Sequence, residues 1–295
     1  MYGEKKEILV KPVCVADYSC ECGEGPLWHP FDELVYWVDI PAGRLFRYDP
    51  ASGSHAICHE GEPLGGFTIQ ADGSLLLFMA RGAVSIWRNG NLTAVIDEIP
   101  GEQASRFNDV IADPAGRVFC GAMPTPERPG RLYRLDTDGT IVKLLDGVEC
   151  PNGMGFTLDR RQLYFTDSGR GEIYLFDYDV ATGDIANRRL FASLPKNAGC
   201  PDGMTVDEDG FVWSAIWDGG CLIRFAPDGR EDRRIEFPAK KVSSCIFGGR
   251  DYGDLYVTTA GGHNKNAEGP GAGGLFRLDA GIKGMPEFLS RIGLP

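Results

Sequence analysis

Cys150-Pro151-Asn152-Gly153-Met154 returns further along the chain as Cys200-Pro201-Asp202-Gly203-Met204. A fainter copy, Cys22-Gly23-Glu24-Gly25-Pro26, stands near the start. Each version sets an oxygen-bearing side chain two residues after a cysteine. Aligned on these anchors, the chain divides into six similar units. They open at Gly25, Gly65, Asn108, Asn152, Asp202 and close to Ser243, at intervals of roughly 40–50 residues, which is a blade-length period. Each unit reads as four strands. A short first strand ends in a turn such as Asp72-Gly73 or Asp113-Pro114-Ala115-Gly116. A second apolar strand follows, at 34–39, 117–122, 162–167, 211–216 and 255–260. A third, aromatic-rich one is of the Leu-Phe-Arg-Tyr-Asp type, at 45–49, 132–136, 173–177, 222–226 and 275–279. The fourth is looser.

Forty glycines in short clusters, with almost no helical periodicity, make the chain all-β. Six four-stranded antiparallel units predict a six-bladed β-propeller that takes up residues 1–295 as a single domain. An open stack of blades would expose an edge, so the ring must close. Segment 8–18 sits where a fourth strand belongs but has no first three before it. It is therefore predicted to complete the sixth blade, so that the N-terminal strand fastens the ring. Segment 286–295 reads either as an extra outer strand or as an unattached tail.

The bulk composition narrows the function. A net charge of −12 argues against nucleic acid and anionic membrane surfaces as partners. Apolar residues make up 43% of the chain, yet no window is long or apolar enough to span a bilayer. Residues 1–7 are charged and carry no apolar run ahead of a small-residue cleavage site, so no signal peptide is expected. The nine cysteines, an odd number, then fit free thiols in a reducing, cytoplasmic setting. The composition assigns no oligomeric state.

Propeller topology places the first-strand starts at the top of the central channel. Glu24, Asn152 and Asp202 then point at one axial spot from blades one, four and five. The equivalent positions are Gly65 or Gly66, Asn108 or Asp109, and Ser243 or Ser244. Read singly, Pro-Asn-Gly and Pro-Asp-Gly are ordinary turn sequences; their shared place in the repeat points to a site instead. Two carboxylates and one or two amide oxygens converging on the channel make a hard-cation site. Calcium, magnesium and manganese suit such ligands, while zinc or iron(II) can be held there by geometry. Cys22, Cys150 and Cys200 could form a soft thiolate ring, but without paired cysteine spacing they read better as packing. The four histidines lack zincin spacing and there is no Gly-x-Ser-x-Gly elbow. Loops 123–130, 168–171, 217–220 and 261–274 are expected to wall the pocket. In them Trp217 either stacks on a ligand or packs between blades, His263 is expected in solvent, and the glycine-rich 269–274 reads as a flexible lid.

Several motifs carry a resemblance: Glu24-Gly25-Pro26, Val38-Asp39-Ile40, Arg106-Phe107-Asn108-Asp109 with Asp113-Pro114-Ala115-Gly116-Arg117, Asn152-Gly153, Pro201-Asp202-Gly203-Met204 and Cys245-Ile246-Phe247-Gly248-Gly249. In order along nearly the whole chain, they resemble the gluconolactonase and regucalcin family of six-bladed propeller lactonases. The resemblance implies a catalytic divalent cation held by Glu24, Asn152 and Asp202, and hydrolysis of sugar lactones such as glucono- or xylonolactone to aldonic acids. It implies Asp202 as general base, Arg106 and Asn108 as substrate contacts, and an acidic lid residue near Pro126 or Glu127, taken as Glu127. The chemistry is coherent: the cation polarises the lactone carbonyl, a carboxylate takes a proton from water, and Arg106 offers a planar donor fork. The alternative for Arg106 is a surface salt bridge. Two other functions stay open on sequence: a phosphotriesterase with Asp202 as nucleophile, and a non-catalytic calcium-binding propeller.

Overall fold

Residues 11–294 are described by the structure, a computed structural model. Their strands form six four-stranded antiparallel sheets. The innermost strands are Gly23–His29, Leu64–Ile69, Phe107–Ala112, Pro151–Phe156, Cys200–Val206 and Lys241–Gly248. Each touches the inner strand on either side, so the six close into a ring around a central channel. Among the described residues the only helix is a 3-10 turn, Lys265–Ala267, and no helix is long and apolar enough to cross a membrane.

The sequence pattern explains the radial order. Second strands such as Leu75–Met79 and Val118–Ala122 are apolar runs buried along their whole length, because a neighbouring blade covers each face. Outer strands such as Asn91–Ile96 and Glu231–Glu236 are mostly exposed, and the latter is correspondingly charged. Aromatic rings fill the space within and between blades. Trp37 stacks on Phe46 at 5.0 Å, and Trp213 meets Phe247 of the next blade edge-on at 6.0 Å.

The N-terminal closure is as expected. Val13–Ala16 pairs antiparallel with Leu275–Asp279, with Val13 opposite Arg277 and Cys14 opposite Phe276, and becomes the outer strand of the sixth sheet. Residues 8–10 of the expected strand, and the charged 1–7, lie outside the described residues.

The C-terminal tail is neither an outer strand nor unattached: it crosses the bottom of the channel. The Glu208 N–H donates to Lys283 O at 2.9 Å, and the Gly284 N–H to Tyr252 O at 2.9 Å, which fixes the start to blades five and six. Phe288 packs edge-on against Phe156 of blade four. On the far side Ser290 N–H donates to Ile69 O at 2.9 Å, Arg291 N–H to Gly116 O at 2.8 Å, and Ile292 N–H to Gln70 Oε1 at 2.8 Å. Ile292 is fully buried. The result is an axial cavity of about 60 Å³ touched by all six blades. Gly66, Asp109 and Ser244 line it above, and Glu287 and Phe288 form its floor.

Candidate active site

Every inner strand carries a register irregularity at the position singled out by the repeat, and in four of them it falls on a Glu, Asn or Asp. The slips lie between Glu24 and Leu27, Phe107 and Val110, Pro151 and Met154, and Pro201 and Met204. A bulge re-aims the side chain it contains, and here it turns Glu24, Asn108, Asn152 and Asp202 toward the channel. Pro-Asn-Gly and Pro-Asp-Gly are therefore strand, not turn. Their glycines serve close approach between blades. A Cβ on Gly153 would lie 2.5 Å from Asp202 O, and one on Gly203 only 2.1 Å from Ser244 Oγ.

Glu24 and Asp202 are 3% and 4% exposed. Asp109, half-buried, lines the axial cavity of the same channel. Among the described residues none of the three carboxylates is in an ion pair. Burial pushes Glu24 and Asp202 well above the usual carboxylate range, reinforced in Glu24 by Asp202 and then Asp109, and in Asp202 by Asp109 and then Cys200. Asp109 is raised to about 7, by burial, against the pull of Arg106. Arg106 is the one cation acting on all three.

Among the described residues Arg106 forms no surface salt bridge. Its Nη1 donates to Asn108 Oδ1 at 2.6 Å and to Phe107 O at 2.9 Å. Asn108 Nδ2 donates in turn to Asn152 Oδ1 at 2.5 Å and to Pro151 O at 2.9 Å. Asn152 Nδ2 donates to Ser168 Oγ at 2.7 Å, and the Ser168 hydroxyl donates to Pro201 O at 2.5 Å. The chain thus runs from blade three through blade four to the residue before Asp202. Glu24 reaches the axis from the other side, with Gly25 N–H donating to its Oε2 at 2.9 Å. Glu127 stands apart. It is exposed on its loop, and its backbone N–H donates to Thr125 Oγ1 at 3.3 Å.

A sequence model of the SMP-30/gluconolactonase/LRE-like region matches residues 22–261. The chain belongs to that family. Among SMP-30/gluconolactonase/LRE-like proteins it is similar to the pentonolactonase XacC of Haloferax volcanii, with 50% identity over 95% of this chain and 98% of that protein. It is also similar to Gallus gallus regucalcin, at 35% identity over 95% of this chain and 98% of that one. The crystal structure of a calcium-binding regucalcin from Agrobacterium tumefaciens superposes with a TM-score of 0.88 at 25% identity, covering 96% of this chain and 98% of that one.

In this family member several residues outside the repeat signature support the site. Asp39 and Asp167 end the second strands of blades one and four. Asp39 Oδ1 accepts from Cys22 N–H at 3.0 Å and Asp167 Oδ1 from Cys150 N–H at 2.9 Å, so each carboxylate pins the chain just ahead of Glu24 or Asn152. The Asp at a corresponding strand end was visible in the repeat, but the acceptor role was not. Buried Glu102 holds Arg128, Arg131 (3.0 Å) and the Tyr133 hydroxyl (2.7 Å), which ties the 97–106 loop to the loop carrying Glu127. Nothing in the repeat marked it.

The thiols behave as packing groups. Burial, then Asp202, pushes Cys150 up to about 12, and burial raises Cys22 as well. Cys150 Sγ contacts Met123 Sδ at 3.9 Å, while Cys200 is exposed. Trp217 is half-buried, with Lys241 Nζ 5.7 Å from its ring centre. His263 is 91% exposed beside Glu21. The 269–274 loop is no flexible lid. Thr259 Oγ1 donates to Gly274 O at 2.9 Å, Cys20 N–H to Gly273 O at 3.2 Å, and Ala272 is fully buried.

Proposed function

We propose that this chain is a metal-dependent lactonase that opens sugar lactones to aldonic acids. The observation that carries the reading is the charge balance at the axis. Two buried carboxylates, Glu24 and Asp202, and the half-buried Asp109 share one guanidinium and form no ion pair among the described residues. Buried charge of one sign needs a counter-charge, and a single divalent cation supplies it. The donor set of Glu24, Asn152 and Asp202 is oxygen only, which suits a hard ion such as calcium, magnesium or manganese. In this reading the amide of Asn152 adds a third oxygen donor to the two carboxylates. The name of the relative at 50% identity, a pentonolactonase, favours five-carbon lactones.

When bound, the cation would polarise the lactone carbonyl and stabilise the charge that develops on its oxygen. The remaining work falls to the chain. Asp202 takes the proton of the attacking water on its carboxylate, a task that suits a carboxylate whose proton affinity burial raises above the usual range. Arg106 has Nη1 tied to Asn108 and Phe107, leaving Nε and Nη2 without a partner among the described residues. Those two donors form the fork for lactone hydroxyls or for the product carboxylate. Asn108 Oδ1 retains a second lone pair for a substrate hydroxyl. Glu127 reaches the substrate only if its loop folds inward. The tail across the bottom of the channel leaves the top face as the route for substrate and product.

The test is a comparison of substrates. Xylono-1,4-lactone, glucono-1,5-lactone and a phosphotriester are each followed by NMR with Ca²⁺ or Mn²⁺ present. Lactone opening faster than the spontaneous rate supports the proposal. Turnover of the phosphotriester alone, or of nothing while the cation binds, would replace it with the phosphotriesterase or the calcium-binding reading.

A further inference from the structure

A carboxamide is nearly symmetric in shape but not in chemistry. One face offers an oxygen to a cation, whereas the other presents two N–H hydrogens that repel it. Asn152 therefore serves the axial site in only one of its two orientations, and some other group must choose between them.

The hydrogen-bond chain makes that choice. A guanidinium can only donate, so Asn108 must turn Oδ1 toward Arg106 Nη1, 2.6 Å away. Its Nδ2 then faces Asn152 at 2.5 Å, which requires the Asn152 oxygen there. At the far end a backbone carbonyl can only accept, so the Ser168 hydroxyl hydrogen is committed to Pro201 O at 2.5 Å. Ser168 Oγ can then only accept, from Asn152 Nδ2 at 2.7 Å. Both ends enforce one direction. A flipped Asn152 would set N–H against N–H at Asn108 and oxygen against oxygen at Ser168. Ser168 is itself buried and held at both backbone groups, its N–H donating to Cys150 O at 3.0 Å and its carbonyl accepting from Gly171 N–H at 3.1 Å.

We propose that Ser168 is a positioning residue for the metal centre: it locks the Asn152 amide with its oxygen toward the axis and, through Pro201 O, sets the spacing between Asn152 and Asp202. The inference rests on the cation-binding reading above. It extends that reading to a residue that touches neither cation nor lactone. Partners of this kind typically govern metal affinity by 10–100-fold.

The test is a double-mutant cycle read by calorimetric titration of chelator-treated full-length protein with Ca²⁺ and with Mn²⁺. Ser168→Ala should weaken binding about tenfold, with the melting curve used to verify that the protein is folded. Asn152→Asp carries oxygen on both faces and needs no lock. In that background Ser168→Ala should change the affinity less than about twofold, because the pair then no longer couples through orientation. Equal affinity of wild type and Ser168→Ala would overturn the inference. So would the same loss in both backgrounds, which would mark a packing role. If the wild type binds neither cation, the metal reading falls and this inference falls with it.

Discussion

Glu287 is the carboxylate that the plugged channel makes expensive, and replacing it by glutamine isolates that cost. The side chain rises from the tail into the axial cavity. It lines that cavity and is half-buried there. Burial raises it from 4.5 to about 7, only partly opposed by a hydrogen bond from Thr205. Its folded value lies above its unfolded one, so its effect on stability runs in one direction. Below pH 4.5 the carboxyl is protonated in both states and costs nothing. Between 4.5 and 7 the unfolded chain ionises while the folded chain does not, and stability falls by about 1.4 kcal/mol per pH unit. Above 7 both ionise and the loss levels off at about 3 kcal/mol. Glu287→Gln keeps the shape and removes the charge. It should melt like wild type near pH 4.5 and roughly 5 °C higher at pH 8, given the melting entropy of a chain this long. Differential scanning calorimetry across that range is the assay. Parallel pH profiles for the two proteins would refute the argument, as would a variant that is less stable at pH 8.

Three further outcomes follow from the geometry. Asp202→Asn should lower turnover by at least about 10²-fold while the fold survives, since general-base catalysis is worth that much; near-normal hydrolysis would place the base elsewhere. Because Glu24 and Asp202 hold protons well above the usual carboxylate range without a cation, cation binding should release protons and weaken as pH falls. Titrations in buffers of different ionisation enthalpy measure that release, and a binding heat independent of buffer would contradict it. Ile292→Ala should cost about 2–5 kcal/mol by opening a void under blades two and three. A melting temperature within 1–2 °C of wild type, well under what such a cost implies for a chain this long, would show that the tail is not a structural closure.

The fold was legible because a propeller writes its architecture as a local repeat. Second strands at 34–39 and 162–167 coincide with observed strands, and the N-terminal closure followed from counting strands. The approach of two of the candidate carboxylates was legible for a related reason: Glu24 and Asp202 occupy equivalent places in the repeat, and the ring brings them near enough for Asp202 to raise the proton affinity of Glu24. What the repeat could not express are features that break it. The tail meets Ile69 and Gln70 across more than two hundred residues of chain, and no local pattern encodes that crossing. Ser168 looks like any loop serine until Pro201 O is placed beside it. The bulges were hidden in plain view. Pro-Asn-Gly reads as a turn, and only the closeness of Asp202 O to Gly153 shows why a glycine is needed in a strand there.

The most direct measurement of the central claim is acid release from xylono-1,4-lactone in a pH-stat, using protein stripped of metal by chelation and then titrated with a divalent cation. The account predicts no release above the spontaneous rate from stripped protein, and full activity restored at one equivalent of cation. Full-rate hydrolysis in excess chelator, or none at any cation concentration, would contradict it.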